Sequence, residues 1–421
     1  MLTGYRVLDF TQIVAGPTCT RLLAELGAEI IKVELAPGGD RGRSSGLKPQ
    51  DPRYRHSSQS TYFVQHNHSK KSLALDFLRP KSRELLRRIA AKADVVVENF
   101  APGVMARAGL AYDDLRAINP SLVMCSISMA GQTGPLSQVP GFDYIAAAYA
   151  GIADQFGEAD RGPAQIPLAI GDSYTGMTAA MAIAVALLHR ERTGEGQYLE
   201  ATLLDSWFHM EQVNVPRVSL RGARAVPVRA GSLHPDGGPT GNFRCNNDEY
   251  VAIMVLPHQW AQFVVALGRP DLADDPRFAT ARARRDRNAE LGAIVEAWLQ
   301  SFPSRAEAMA ALERHRVPCG PVLNLKQAME QPHLRARGTV RRVQDAQLGA
   351  FDITGMPAQF SAWPERTDLK ADLLGEHNEE ILHQLAGLSF GEIDALYRDG
   401  TIVRDAQLDC DPNKNSEGRD R

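Results

Sequence analysis

Residues 5–34 read YRVLDFTQIVAGPTCTRLLAELGAEIIKVE. The apolar run Tyr5–Phe10 has the length and composition of a buried strand, and Glu29–Glu34 repeats that texture. Between them, Ala15-Gly16-Pro17 reads as a turn, and Thr18–Leu26 as an amphipathic helix that Gly27 ends. Strand, helix and strand in so short a space predict a mostly parallel sheet covered by helices.

The pattern continues outward. A helix is expected over Ser82–Lys92, a strand over Val95–Glu98, a short helix over Tyr112–Ile118 and a strand over Leu122–Ser128. A small-residue helix is expected over Tyr144–Gly151 and a long helix over Tyr174–Arg192. Ala, Met and Leu lie on nearly every face of the long helix, which predicts burial in a core or a subunit interface. Thr193–Gln197 closes it, and Tyr198–Leu203 is the next strand. From about residue 212 the texture changes, and 216–241 is rich in Gly, Pro and Arg. Tyr250–Leu256, the helices from Gln259 to about Arg314 and the strand-like run Cys319–Leu325 suggest a smaller α+β unit. The expected organisation is 1–215 for the first part of a large domain, 216–325 for a linker and small domain, and 326–405 for a return to the large domain. A polar tail over 406–421 lacks apolar periodicity and is expected to be disordered.

Two domains suit 421 residues. With 44% hydrophobic and 23% charged residues the composition is globular, and 47 basic against 50 acidic side chains leave no basic field for nucleic acid or a membrane surface. No signal peptide is expected before the first strand, and no apolar stretch is expected to cross a membrane. The five cysteines are scattered and without CxxC spacing, as in the reduced thiols of a cytoplasmic protein.

The chemistry narrows by elimination. Gln12–Pro17 follows the first strand but lacks GxGxxG, which disfavours a dinucleotide site. GxSxG and HExxH are absent. His66 and His68 flank Asn67 with no third ligand near, so a surface or packing role is the better reading and no metal site is expected. The sharpest feature is Gly171-Asp172-Ser173 just before the long helix. The residues alone leave two readings open. Asp172 is a helix N-cap, or it is a carboxylate nucleophile that the helix start keeps ionised and that Gly171 and Gly176 leave approachable.

Further stretches tip that balance: Val7-Leu8-Asp9-Phe10, Gly16-Pro17, Leu26–Glu34, Gly38-Gly39-Asp40 with Arg43, Asn67–Ser72, Glu98–Gly103, Gly141-Phe142-Asp143-Tyr144, Gly171-Asp172, Arg192–Gln197 and Leu374-Gly375-Glu376-His377. In this order, from Val7 to about Leu385, they resemble the class III CoA-transferases (the CaiB/BaiF type), which include formyl-CoA:oxalate and carnitine CoA-transferases. The resemblance implies a Rossmann-like large domain formed by both chain ends, a smaller α+β domain, and two ring-like subunits interlocked as a homodimer. It implies no permanently bound cofactor, with an acyl-CoA and a carboxylic acid as substrates.

The resemblance also assigns roles. Asp172 matches the nucleophile, and Asp143 an acidic residue near the reaction centre. Val14 and Ala15 fall at the pantetheine end of CoA. Leu75 to Leu78, Asn99, Phe100 and Ala101 fall along the nucleotide, and Arg107 near its phosphates. Lys70 and Lys71 are expected to add positive potential, and His234 to touch substrate. Departures disfavour the formyl-CoA:oxalate pair. Leu35 stands where oxalate-type members carry arginine, Val14 where they carry glutamine, and their glycine run shrinks to Gly237-Gly238. Arg41, Arg43 and Arg55 lie in loops where they could pair with the second carboxylate of a dicarboxylic acid such as succinate. A 2-methylacyl-CoA racemase is the main rival, but Phe142 stands where racemases carry a proton-transferring histidine. A non-catalytic CoA-binding homologue is the third reading.

Overall fold

The structure, a computed structural model, describes residues 1–77, 79–364 and 368–409. Six strands form its large sheet: β1 (Arg6–Asp9), β2 (Glu29–Leu35), β3 (Lys71–Leu75), β4 (Val95–Glu98), β5 (Val123–Ser128) and β6 (Tyr198–Thr202). Their order is β3-β2-β1-β4-β5-β6, and every pair is parallel. This is the doubly wound Rossmann order, in which successive strands run outward in opposite directions from β1. The strands are apolar runs because helices cover both faces. Leu8, Ile31, Leu73, Val96 and Met124 share one core with Leu86 and Ile89 of the helix Pro80–Ala90 and with Leu382, Ile393 and Leu396 from the end of the chain.

The helix after β1, α1, spans Ala15–Glu25. It begins three residues earlier than expected, because Ala15-Gly16-Pro17 is its first turn and not a loop. Proline suits that turn, where its missing N–H costs no helical hydrogen bond. The small-residue helix α2 spans Asp143–Tyr149, and the long helix α3 spans Ile170–Thr193. By length and composition α3 is apolar enough to cross a bilayer, contrary to the expectation of no such stretch. It instead packs along α1 and against β5 and β6. Its inward face holds Ala179, Ile183 and Leu187, whereas Met177, Met181, Val185 and Leu188 are exposed on the chain.

Contacts divide the chain into two units. One comprises Met1–Ala150, Leu168–Met210 and the chain from His333 on, and the other comprises Gly151–Pro167 and Glu211–Pro332. The second unit has its own core around Phe243, Val251, Phe263, Phe278 and Leu291, and an antiparallel sheet of Thr240–Arg244, Tyr250–Met254 and Cys319–Pro321. Residues 151–167 group with it through tertiary bonds that local sequence does not reveal: Gly231 N–H to the Gly157 carbonyl, and Arg229 to Asp154. Of the expected tail, Ala406–Asp409 forms a 3-10 turn, and residues 410–421 lie outside the described residues. Cys19, Cys125, Cys245 and Cys319 are free thiols.

Candidate active site

In an open parallel sheet, ligands bind beyond the carboxyl ends of the strands, where the strand order reverses. Here that point lies between β1 and β4. The segments leaving these two strands are joined by a reciprocal pair of bonds: Gln12 N–H donates to Asn99 Oδ1 and the Asn99 amide donates to the Gln12 carbonyl, each at 2.8 Å. Beside them opens a cavity of about 390 Å³, whose lining includes Gln12 to Ala15, Arg41, Asn99 to Pro102, Phe142 and Asp172.

Asp172 is the third residue of α3 and not its N-cap. Ala169 occupies the cap position and makes no side-chain cap bond. The cap comes from another element, because Asp143 at the start of α2 accepts from the backbone amides of Asp172 and Gly171 and, at 2.5 Å, from Trp207 Nε1. Gly171 is required by this contact. A Cβ there would lie 2.1 Å from both Asp143 Oδ1 and Trp207 Nε1. Asp143 Oδ2 is buried without a hydrogen-bond partner. Burial raises the pKa of Asp143, and the Trp207 and backbone bonds oppose that rise. Burial and then the Asp143 charge push Asp172 up to about 7. The expectation that the helix start keeps Asp172 fully ionised is therefore corrected. Desolvation and a like charge both favour the protonated form, a pattern that marks candidate functional carboxylates.

Of the residues assigned by resemblance, Val14, Ala15, Asn99, Phe100, Ala101 and Asp172 border the one cavity, and Asp143 adjoins it through Gly171. Leu75 does not. It is fully buried in the sheet core, so its side chain cannot reach a nucleotide, and Leu78 lies outside the described residues. Arg107 is exposed at the end of the short helix Val104–Arg107 and is not among the cavity-lining residues. His234 belongs to the second unit, where its Nδ1 accepts from the Asp236 amide.

The motif lysines and arginines are mostly structural. Lys70 is buried, bonding Asp9, Thr20 and Asn67, and Lys71 pairs with Glu29 and Glu380. Neither supplies a free positive charge. Burial works against the charge on Asp9, but Lys70, Lys32, Thr11 and Thr20 hold its pKa down at about 2. Arg43 is also buried, forked onto Glu34 at 2.6 and 2.7 Å and stacked on Phe63, so it cannot meet a substrate. Arg55 is exposed and bonds its neighbour His56. Only Arg41 of the three loop arginines borders the cavity. His66 bonds the Tyr62 carbonyl, and His68 lies 3.6 Å from Glu25.

Sequence reasoning missed Tyr62. Burial and then the charges of Asp172 and Asp40 push its hydroxyl up to about 12, which places it within electrostatic reach of the nucleophile candidate. Its tilted i,i+4 ring contact with His66, centroids 4.6 Å apart, is a local signal of its orientation. Gln12, Ile13 and Phe142 also line the cavity without having been singled out as contacts.

This combination, a doubly wound sheet with a raised-pKa carboxylate facing a cavity at its switch point, marks a candidate small-molecule site. Residues 2–378 match the model of CoA-transferase family III, and the chain belongs to that family. It is 34% identical to a formyl-CoA:oxalate CoA-transferase of Bradyrhizobium diazoefficiens, over 96% of this chain and 97% of the relative. It is 33% identical to a succinyl-CoA--D-citramalate CoA-transferase of Chloroflexus aurantiacus, over 94% and 96%. A CaiB/BaiF family protein from Brucella suis superposes with a TM-score of 0.78 at 33% identity, covering 91% of this chain and 99% of that one. The protein is thus a CoA-transferase. Near-equal identity to relatives with different acids leaves the acids to be argued from the site.

Proposed function

We propose that Asp172 is the nucleophile of a CoA transfer between two carboxylic acids, and that at least one of them is a small dicarboxylic acid. The Asp172 carboxylate attacks the thioester carbonyl of the donor acyl-CoA, and the C–S bond breaks to give a mixed anhydride and CoA thiolate. The thiolate attacks the aspartyl carbonyl, releasing the donor acid and leaving an aspartyl-CoA thioester. The acceptor carboxylate then attacks that thioester, and the returning thiolate takes the acceptor acyl group and frees Asp172. No net proton or electron is exchanged, and thioester energy is kept if water is excluded. The observation that carries this reading is the half-buried Asp172 carboxylate facing a cavity at the strand switch point, with a pKa raised to about 7. A more basic carboxylate is a stronger nucleophile once ionised. Val14, Ala15, Asn99, Phe100 and Ala101 are the CoA contacts of this reading, Asp143 holds the Asp172 backbone, and Arg41 offers its guanidinium to a second carboxylate.

The working form is a homodimer. Tyr144, Ile145 and Tyr149 of α2 and Met181, Val185 and Leu188 of α3 are large apolar side chains exposed on the single chain, more than an isolated soluble surface ordinarily leaves open. A second copy, interlocked with the first, covers them in this reading. The test is a panel of mono- and dicarboxylic acids offered with succinyl-CoA or acetyl-CoA, with the new acyl-CoA weighed by mass spectrometry. Transfer to dicarboxylic acids that weakens at least tenfold in Arg41→Ala is expected. Thioester hydrolysis with every acid and no new acyl-CoA overturns the reading.

A further inference from the structure

We propose that Asp40, acting through the backbone amide of Ile13, is a positioning residue of the transfer reaction. It sets the wall of the cavity that faces Asp172 and so keeps water from the acyl intermediates. This rests on the reading of Asp172 as the nucleophile. The sequence singles out Gly38-Gly39-Asp40 with Arg43, and the cavity contacts do not absorb that motif.

Ile13 has φ +71°, a left-handed conformation that a β-branched residue rarely adopts. The segment is held there from three sides. Lys32 Nζ donates to the Thr11 carbonyl at 2.7 Å, Asn99 takes both backbone groups of Gln12 at 2.8 Å, and Ile13 N–H donates to Asp40 Oδ1 at 3.2 Å. Asp40 is itself fixed. It is buried, its Oδ2 lies 2.8 Å from the equally buried Lys32 ammonium, and its Oδ1 also accepts from Gly42 N–H at 2.8 Å. Gly39 makes room for this turn, because a Cβ there would lie 2.8 Å from Glu34 Oε2. Arg43 anchors its far end on Glu34. A strained residue persists only where its surroundings over-determine it, and such residues cluster at working sites.

The consequence reaches the nucleophile by packing. Directly after Ile13, Val14 and Ala15 form the cavity wall and start α1. The Ala15 carbonyl is pressed onto α3 so closely that a Cβ on Gly176 would lie 2.5 Å from it. Gly176 stands one helical turn after Asp172. The Ile13 turn therefore sets the distance between the wall and the carboxylate. Release of Ile13 to negative φ moves Val14 and Ala15 relative to Asp172 and opens the intermediates to water.

The experiment measures the ratio of thioester hydrolysis to CoA transfer, a partition that does not depend on how much of the sample is folded. Asp40→Ala is expected to raise the ratio at least tenfold. Adding Ile13→Gly to it is expected to bring the ratio back toward wild type, since glycine takes φ +71° without strain. Ile13→Pro leaves the buried ion pair intact, removes the amide and imposes negative φ. It is the second variant should Asp40→Ala fail to fold, and it is expected to raise the ratio likewise. An unchanged ratio in either folded single variant overturns the proposal. Wild-type protein that shows no transfer at all overturns instead the reading on which it rests.

Discussion

Replacing Gly171 by alanine tests how the nucleophile is held. In a helix, alanine is ordinarily the better residue by about 1 kcal/mol. At 171 its Cβ would lie 2.1 Å from Asp143 Oδ1, 2.1 Å from Trp207 Nε1 and 2.7 Å from Trp207 Cδ1. Carbon contacts relax near 3.5–4 Å, so these groups must give way by roughly 1 Å or more. That displacement breaks the 2.5 Å bond between Trp207 and Asp143. Hydrogen bonds to charged groups contribute about 1.5–3 kcal/mol, and overpacking a core costs about 1–3 kcal/mol. Less the propensity gain, Gly171→Ala is expected to destabilise by about 1.5–5 kcal/mol. Transfer turnover should fall by about a hundredfold, because the backbone carrying Asp172 moves with its cap. Urea denaturation gives the first quantity and steady-state transfer the second. Gly391→Ala is the control, for it lies exposed in the helix Phe390–Arg398 with nothing within 4 Å of its would-be Cβ. It should be neutral or stabilising by up to about 1 kcal/mol. A Gly171→Ala variant with the wild-type urea midpoint and turnover would refute the reasoning.

Two further outcomes follow from the charges. With Asp172 at about 7, kcat/KM for the acyl-CoA donor should rise with pH through about 7 and level off above it. Glu98, which burial also pushes to about 7, is not the responsible group, so Glu98→Gln should keep the rise; a flat profile in the wild type contradicts the assignment. The same shift has a stability sign. A carboxyl whose folded pKa lies above its unfolded value of about 4 binds more protons when folded, so its contribution to stability falls as pH rises from about 4 to 7. Asp172→Asn should therefore gain stability relative to wild type at pH 8 and not at pH 4, as thermal melts at the two pH values would show. Glu34→Gln should cost about 3–5 kcal/mol, because it leaves the buried Arg43 guanidinium without its charge partner. Glu84→Gln removes only the exposed partner of Arg88 and should cost less than about 1 kcal/mol, both read by urea denaturation.

The parallel sheet was legible because burial on both faces makes its strands unbroken apolar runs, and Val95–Glu98 falls where the pattern puts it. Asp172 stood out through its glycine neighbours, whereas Val14, Ala15 and Asn99 were marked only by the family resemblance. What stayed illegible is tertiary. Lys32, Lys70 and Arg43 look like surface charges in sequence, yet they are buried against carboxylates contributed by other segments. The start of α3 was misread because its cap, Asp143, stands on another helix. Leu75 was carried over as a contact although its strand position turns it into the core. Tyr62 was missed because nothing local ties it to a residue more than a hundred positions later.

The most direct measurement is a rapid quench of the protein during turnover with acyl-CoA, using hydroxylamine, followed by peptide mass spectrometry. A hydroxamate confined to Asp172, formed with wild type and lost in Asp172→Ala while CoA still binds, is the predicted result. An unmodified Asp172 peptide from enzyme that is visibly turning over, or a hydroxamate on some other carboxylate, would contradict the covalent route at its centre.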